Sequence, residues 1–226
     1  QYQNVTVSDF IVEMELASGK DLGEFREVWL VNETFNFEIA KAYLEKSNRF
    51  LKQFFEFQEE IDATDVLDDE KLKLMWHSET PWQFKSQIIK DYISQISESS
   101  LKKILANEKS IKIRQSIATS KKNIPEDLRS YFESLLKDES YSTKEVMLFR
   151  LWDAYPDNRK FHLDQTKDIN GHPNKNVRLL WLTLALFTPD YNSTESINYH
   201  RELVSYTDAK YNPEIRQTAF QYLFEI

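Results

Sequence analysis

Cysteine is absent from this 226-residue sequence, and glycine is scarce. Without cysteine there is no disulfide, no thiolate nucleophile and no cysteine-ligated zinc or iron–sulfur site. The three glycines are Gly19, Gly23 and Gly171, whereas phosphate-binding loops, dinucleotide-binding turns and tight β-hairpins need glycine where φ is positive. These shortages exclude several enzyme classes and indicate a helical chain without catalytic machinery of its own.

Histidine is also scarce, and the four histidines form no metal-binding pattern. They are His77, His162, His172 and His200, and no two have the spacing of the zinc-peptidase motif H-E-x-x-H. His162 and His200 lie beside apolar residues at helical spacing, which favours surface or partly buried side chains over metal ligands. The sequence predicts no catalytic residue, no metal ligand and no cofactor in this chain.

The charge balance and the apolar runs restrict the partners. Acidic residues outnumber basic ones by 37 to 29, giving a net charge of −8. A general nucleic-acid-binding protein needs a basic face that displaces counterions from phosphate, so no nucleic-acid partner is expected. No apolar run approaches the roughly 18 residues of a membrane span. The sequence opens without methionine and ends within a helical pattern, from which we expect a fragment of a longer parent protein.

Apolar residues recur at helical spacing along most of the chain. The pattern predicts a long helical stretch over 37–60, with a break at Ser47-Asn48, and an exposed acidic connector over 62–73 with at most one helical turn. Several aromatic residues share the helical spacing and are expected in the core rather than in a ligand pocket. They are Phe50, Phe54, Phe55, Phe57, Trp152, Trp181, Phe220 and Phe224.

A two-helix pattern repeats from residue 81 onward. Each unit opens with an apolar residue followed by a charged one and continues with an apolar helical face, and the units recur at intervals of about 30 to 40 residues. The third unit departs from this pattern, since Lys144 replaces the apolar residue. The leading charged residues are Lys85, Arg114, Glu145, Arg178 and Arg216. This period predicts an all-α chain built as an α-solenoid of antiparallel helix pairs. The alternative is an irregular helical bundle whose spacing is coincidental.

Equivalent positions of a solenoid line up on one face, so the cations that lead the repeats are the candidate binding residues. Arg178, with Lys175 nearby, is the first candidate for contact with a peptide carboxylate, and Arg114 and Arg216 are the second choices. The competing interpretation, which we favour on general grounds, is salt bridging on the helix face with nearby Asp and Glu residues.

An ordered set of motifs resembles one enzyme family. Val5-Thr6-Val7-Ser8-Asp9-Phe10, then S-G-K-D-L over 18–22, then Phe25 and Trp29-Leu30 are similar to the closing helices of the catalytic domain in aminopeptidase N-type zinc metallopeptidases. Three residues rather than two separate Phe25 from Trp29, which departs from the family's F-x-x-W-L pattern. The remainder resembles the family's C-terminal HEAT-like repeats. The matching segments are 113–115, 124–125, 135–138, 140–143, 151–152, 155–156, 174–182 and 215–216.

The resemblance implies that residues 1–31 close the helical part of the catalytic domain and that 32–226 form the C-terminal HEAT-like domain. The parent would be a hydrolase that removes N-terminal residues from peptides with one zinc ion in its catalytic domain. This chain would contact that domain in cis, cover the active-site chamber and limit peptide access. Its sequence holds none of the family's catalytic or zinc-binding motifs, and the small β-sandwich frequent in the family is expected to be missing.

Two functional classes therefore remain open. The chain is either the non-catalytic C-terminal domain of a zinc aminopeptidase or a stand-alone helical-repeat scaffold that binds a protein partner. An H-E-x-x-H motif in the sequence upstream of this chain would distinguish the first class from the second.

Overall fold

The structure is a computed structural model and describes residues 5–169 and 175–226. Within these ranges it is all α-helical and contains no β-strand, which confirms the predicted fold class. The described residues form fourteen α-helices: α1 Val7–Ser18, α2 Gly23–Arg26, α3 Phe37–Ser47, α4 Arg49–Thr64, α5 Asp69–Met75, α6 Trp82–Tyr92, α7 Glu98–Asn107, α8 Ile111–Ser120, α9 Arg129–Ser134, α10 Tyr141–Ala154, α11 Arg159–Thr166, α12 Asn176–Phe187, α13 Ser196–Ser205 and α14 Pro213–Glu225. None of them is both long and apolar enough to cross a membrane.

The chain divides into two compact units, Gln1–Gln58 and Glu59–Ile226. We call them the N-terminal unit and the repeat unit. The division falls within α4. The predicted boundary between residues 31 and 32 refers to the domains of the aminopeptidase family and stays a prediction.

In the N-terminal unit, helix α1 has sharply defined ends. The Thr6 side chain accepts a hydrogen bond from the Asp9 backbone N–H, and the Asp9 carboxylate accepts one from the Thr6 N–H, which forms a capping box. Gly19 ends the helix at φ 65°, a left-handed conformation that glycine adopts without steric cost. A π-helical turn over Glu27–Val31 follows α2, so the backbone changes its winding at the Trp29-Leu30 motif.

The repeat unit packs as two layers of helices. One layer contains α6, α8, α10, α12 and α14, and each of these helices packs against the next in chain order. We call this the even layer. Helices α7, α9, α11 and α13 connect successive members and pack against them or against one another. A stacked array of helix pairs brings helices together in this order, and the solenoid arrangement itself stays a prediction.

Polar side chains join successive repeats at distances of about one repeat in sequence. The buried hydroxyls of Ser86 and Ser116 lie 2.6 Å apart between α6 and α8. The Arg150 guanidinium on α10 donates to the carbonyl oxygens of Ala118, Lys121 and Thr119. These carbonyls belong to the last turn of α8 and the residue after it, which lack partners within their own helix. One repeat therefore caps the preceding one.

Trp181 anchors the core of the repeat unit. It is fully buried, its indole N–H donates to the Leu163 carbonyl at 2.9 Å, and its ring meets those of Tyr199 and Tyr191 edge to face. Burial of an aromatic side chain of this size contributes more than burial of most aliphatic residues. The predicted core position of Trp181 is thus confirmed.

Some predicted burial is wrong. Phe220 and Phe224 on α14 are exposed, and Phe224 retains 90 % of its accessible surface. The predicted connector over 62–73 contains the beginning of α5, whose N-terminus is capped by the Asp68 carboxylate. Leu67 and Leu72 are buried there, so this acidic segment contributes to the core in spite of its composition.

Candidate functional site

The predicted peptide-contacting residue Arg178 lies in an internal ion pair. Its Nε and Nη2 donate to the two carboxylate oxygens of Glu202 at 2.7 and 2.6 Å, and its Nη1 donates to the Lys167 carbonyl at 2.8 Å. The guanidinium also lies over the Trp181 ring, 4.6 Å from the centroid. Burial opposes ionisation of Glu202, but the hydrogen bonds and charge of Arg178 outweigh it and hold the pKa of Glu202 below its ordinary value.

Arg114 is engaged in a similar way two helix pairs earlier. Its Nε donates to the Asp138 carboxylate, and its Nη1 donates to the Lys109 carbonyl at 2.7 Å. The other oxygen of Asp138 accepts the Ser140 backbone N–H, immediately before α10. Arg114 therefore links the start of α8 to the start of α10 through a buried carboxylate.

The other predicted cations have weaker contacts. The Nε of Arg216 donates to the Thr207 carbonyl at 3.3 Å. Lys175 precedes α12 in a left-handed backbone conformation, with φ 59°, and its charge helps to lower the pKa of Glu202. Lys85 lies over the Trp76 ring at 5.5 Å. For Arg114 and Arg178 the structure shows the alternative of internal ion pairing, and peptide contact by any of these cations stays a prediction.

A groove of about 720 Å³ lies across three helices of the even layer, α10, α12 and α14. We call it the even-layer groove. Leu180, Thr183 and Leu184 of α12 are buried and face it, while Phe149 of α10 and Phe187 of α12 remain 49 % and 40 % exposed. Its other lining residues are Glu145, Val146, Arg150, Trp152, Tyr222 and Glu225. A concave apolar surface with a few polar groups is the usual form of a ligand site.

Two carboxylates give the groove its charge. Burial raises the pKa of Glu145 above its ordinary value, although a hydrogen bond from Asn176 opposes the shift. Burial also raises the pKa of the Tyr222 phenol, and the charges of Glu145 and Glu225 add to this effect. Tyr222 therefore lies within electrostatic reach of both carboxylates. The desolvated Glu145 carboxylate would be stabilised by a cation placed beside it.

Sequence reasoning missed this groove, although one signal pointed to it. Glu145 occupies the leading charged position of its repeat, where the other four repeats have lysine or arginine. The sequence pattern assigns no role to this change of sign. Trp152 was expected in the core, and it instead borders the groove with its indole N–H donating to the Thr188 hydroxyl at 2.8 Å.

A second cavity, of about 530 Å³, lies within the N-terminal unit. The side chains of Leu22, Phe25 and Trp29 face Ile39 and Tyr43 across it. The family-like motif thus contributes apolar residues to this cavity, beside the π-helical turn.

The histidines divide into buried and exposed positions. His162 is fully buried, and its Nε2 lies 3.0 Å from a carboxylate oxygen of Glu133. The expectation of a surface or partly buried His162 is therefore wrong, because the side chain of Glu133, 29 residues earlier, gives it a buried partner. His77 and His200 are exposed, and His172 lies outside the described residues. Among the residues that the structure describes, no group of three or more His, Asp or Glu side chains is arranged to hold a metal ion.

Comparisons with protein-family models, with curated proteins and with solved structures find no match to this chain. The resemblance to the aminopeptidase family therefore stays an expectation from the sequence motifs.

Proposed function

We propose that this chain is the non-catalytic C-terminal helical-repeat domain of a zinc-dependent aminopeptidase. One observation carries the proposal: S-G-K-D-L over 18–22 and Trp29-Leu30 occur in the family's order, and repeated helix pairs follow them. The parent catalytic domain, in contact with this chain in cis, would hold one zinc ion and release N-terminal residues from peptide substrates. The chain would cover the active-site chamber and limit peptide access to it.

The physical basis of this role is a wall of stacked helices. Stacking of α6, α8, α10, α12 and α14 side by side creates a continuous surface longer than a single helix can offer. The ion pair Arg114–Asp138 joins α8 to the segment before α10, and Arg178–Glu202 joins the two helices of one pair, α12 and α13. A wall held in this way would keep its shape while peptides enter and leave.

The test compares the parent protein with the 226-residue chain. The parent should contain H-E-x-x-H, bind one zinc ion per chain by elemental analysis and release the N-terminal residue from short peptides. The chain alone should retain no stoichiometric zinc after dialysis against a chelator and should not cleave aminoacyl-anilides. A parent without the motif and without zinc would contradict the proposal, as would turnover by the chain that survives repurification.

The alternative function is a stand-alone helical-repeat scaffold that binds a protein partner. The apolar even-layer groove favours it, since two exposed phenylalanines border one concave surface. Under this alternative the full-length protein has no peptidase activity, and the 226-residue chain by itself accounts for the binding function. The zinc measurement on the full-length protein distinguishes the scaffold from the aminopeptidase domain.

A further inference from the structure

The even-layer groove has the features of a binding site for a chain with apolar side chains. Its floor is made of the buried α12 side chains Leu180 and Leu184, and the half-exposed Phe149 and Phe187 border it. Single exposed apolar residues are ordinary on protein surfaces, but large apolar side chains grouped around one concavity mark contact sites. An occupant that covered both phenylalanines would remove their exposed rings from water.

The charges around the groove favour an occupant with a positive charge. Glu145 and Glu225 both line it, against the single guanidinium of Arg150. Both Nη groups of Arg150 are directed to carbonyl oxygens at the end of α8, where the helix dipole carries partial negative charge. Arg150 therefore offers few donors to an anion, whereas the two carboxylates remain to attract a cation.

The dimensions of the groove fit a short peptide segment. Its lining extends from Glu145 to Trp152 on α10 and from Leu180 to Phe187 on α12, which is two helical turns, about 10 Å, on each helix. Three residues of an extended peptide span about this length. A lone ammonium ion would neutralise a carboxylate but would leave the apolar floor uncovered.

We propose that the even-layer groove binds a peptide segment with aliphatic side chains that carries one lysine or arginine. The cation lies against Glu145 and Glu225, and the aliphatic side chains lie between Phe149 and Phe187. Carboxylates select the basic residue through charge-assisted hydrogen bonds, while the apolar floor provides most of the buried area. This inference goes beyond the proposed function, since it requires neither a zinc enzyme nor a second domain.

The test uses three fluorescent decapeptides with blocked termini and the 226-residue chain. Each contains leucine and alanine, with lysine, norleucine or glutamate at one central position. Fluorescence anisotropy should show the lysine peptide binding about tenfold more tightly than the norleucine peptide and the glutamate peptide binding most weakly. Norleucine keeps the methylene groups of lysine without its charge, so this ratio isolates the ion pair.

Matched variants assign the binding to the groove. The double variant Glu145→Gln with Glu225→Gln should lower affinity for the lysine peptide about tenfold and leave that for the norleucine peptide unchanged. Glu139→Gln, which removes an exposed carboxylate outside the groove, should change neither. Phe149→Ala should weaken both peptides at least fivefold, whereas Phe161→Ala, with similar exposure on α11, should weaken neither. Circular dichroism establishes that each variant is folded.

Four outcomes would overturn the proposal. Equal affinity for the lysine and norleucine peptides would show that the carboxylates do not contribute to recognition. Absence of binding by all three peptides would show that the groove is not a peptide-binding site. Full competition by n-hexylammonium alone would assign the groove to small organic cations. A dimer of the free chain that dissociates in Phe149→Ala, measured by light scattering, would assign it to a second copy.

Discussion

Replacement of Arg178 by methionine should destabilise the repeat unit by about 2–3 kcal/mol. Methionine keeps an unbranched apolar stem but removes the two hydrogen bonds to Glu202 and the bond to the Lys167 carbonyl. Loss of one partner from a buried ion pair costs about 3–5 kcal/mol. The Arg178 side chain is 14 % exposed and that of Glu202 is 33 % exposed, so Glu202 regains part of its hydration and the cost falls below that range.

A double-mutant cycle measures the pair itself. Glu202→Gln alone and together with Arg178→Met should give a coupling energy of about 1–2 kcal/mol, as expected for residues in direct contact. Urea denaturation at 25 °C followed by circular dichroism supplies the free energies of unfolding. The control is Arg201→Met on α13, which removes an exposed cation next to Glu202 in sequence and should change stability by less than about 0.5 kcal/mol.

Two results would refute this reasoning. A cost below about 0.5 kcal/mol for Arg178→Met would mean that the ion pair does not stabilise the fold, and strictly additive costs would mean that the pair is not coupled. Either result would favour peptide contact as the role of Arg178. In the parent enzyme that role predicts an approximately tenfold loss of kcat/KM, about 1.4 kcal/mol, for peptides with a free C-terminus and little loss for amidated ones.

Three further predictions concern buried polar groups. Burial lowers the pKa of His162 in the folded state, so its stabilising effect is complete above an unfolded pKa of about 6.5 and decreases as the pH falls below it. His162→Gln should therefore flatten the fall in unfolding free energy between pH 7 and 5. Trp181→Phe should cost about 2–3 kcal/mol in urea denaturation, because it loses volume and the indole hydrogen bond. Ser86→Ala combined with Ser116→Ala should stay within about 1 kcal/mol of the unmodified chain by the same measurement, since both partners of the buried bond are removed together.

Local signals were sufficient to predict most helices. The break at Ser47-Asn48 is confirmed, since α3 ends at Ser47 and α4 begins at Arg49. Apolar periodicity also predicted repeated helices from residue 81 onward, and the described residues there form α6 to α14. Helix formation of this kind depends on residues that are close together in the chain, so the spacing of apolar residues is enough to predict it.

Features made by residues far apart could not be predicted in the same way. The buried His162 pairs with Glu133, one helix pair earlier, and the even-layer groove requires three helices that are separated in sequence by α11 and α13. Phe224 has the same spacing as core residues, but α14 presents it to solvent. A helical pattern indicates which residues share a face of the helix, but it does not indicate whether another helix covers that face.

The capping of α8 by Arg150 has a consequence for how this array can be altered. Each repeat in the middle of a modular array would ideally be self-sufficient, so that units could be removed or duplicated without harm. Here the carbonyl oxygens of Ala118, Thr119 and Lys121 depend on a side chain that belongs to the following unit. Excision of that unit would leave these carbonyl oxygens without their donors. Its duplication would place a second Arg150 beside the end of a helix other than α8, where the chain continues in a different way. Polar contacts therefore restrict which helix can follow α8, in addition to apolar packing.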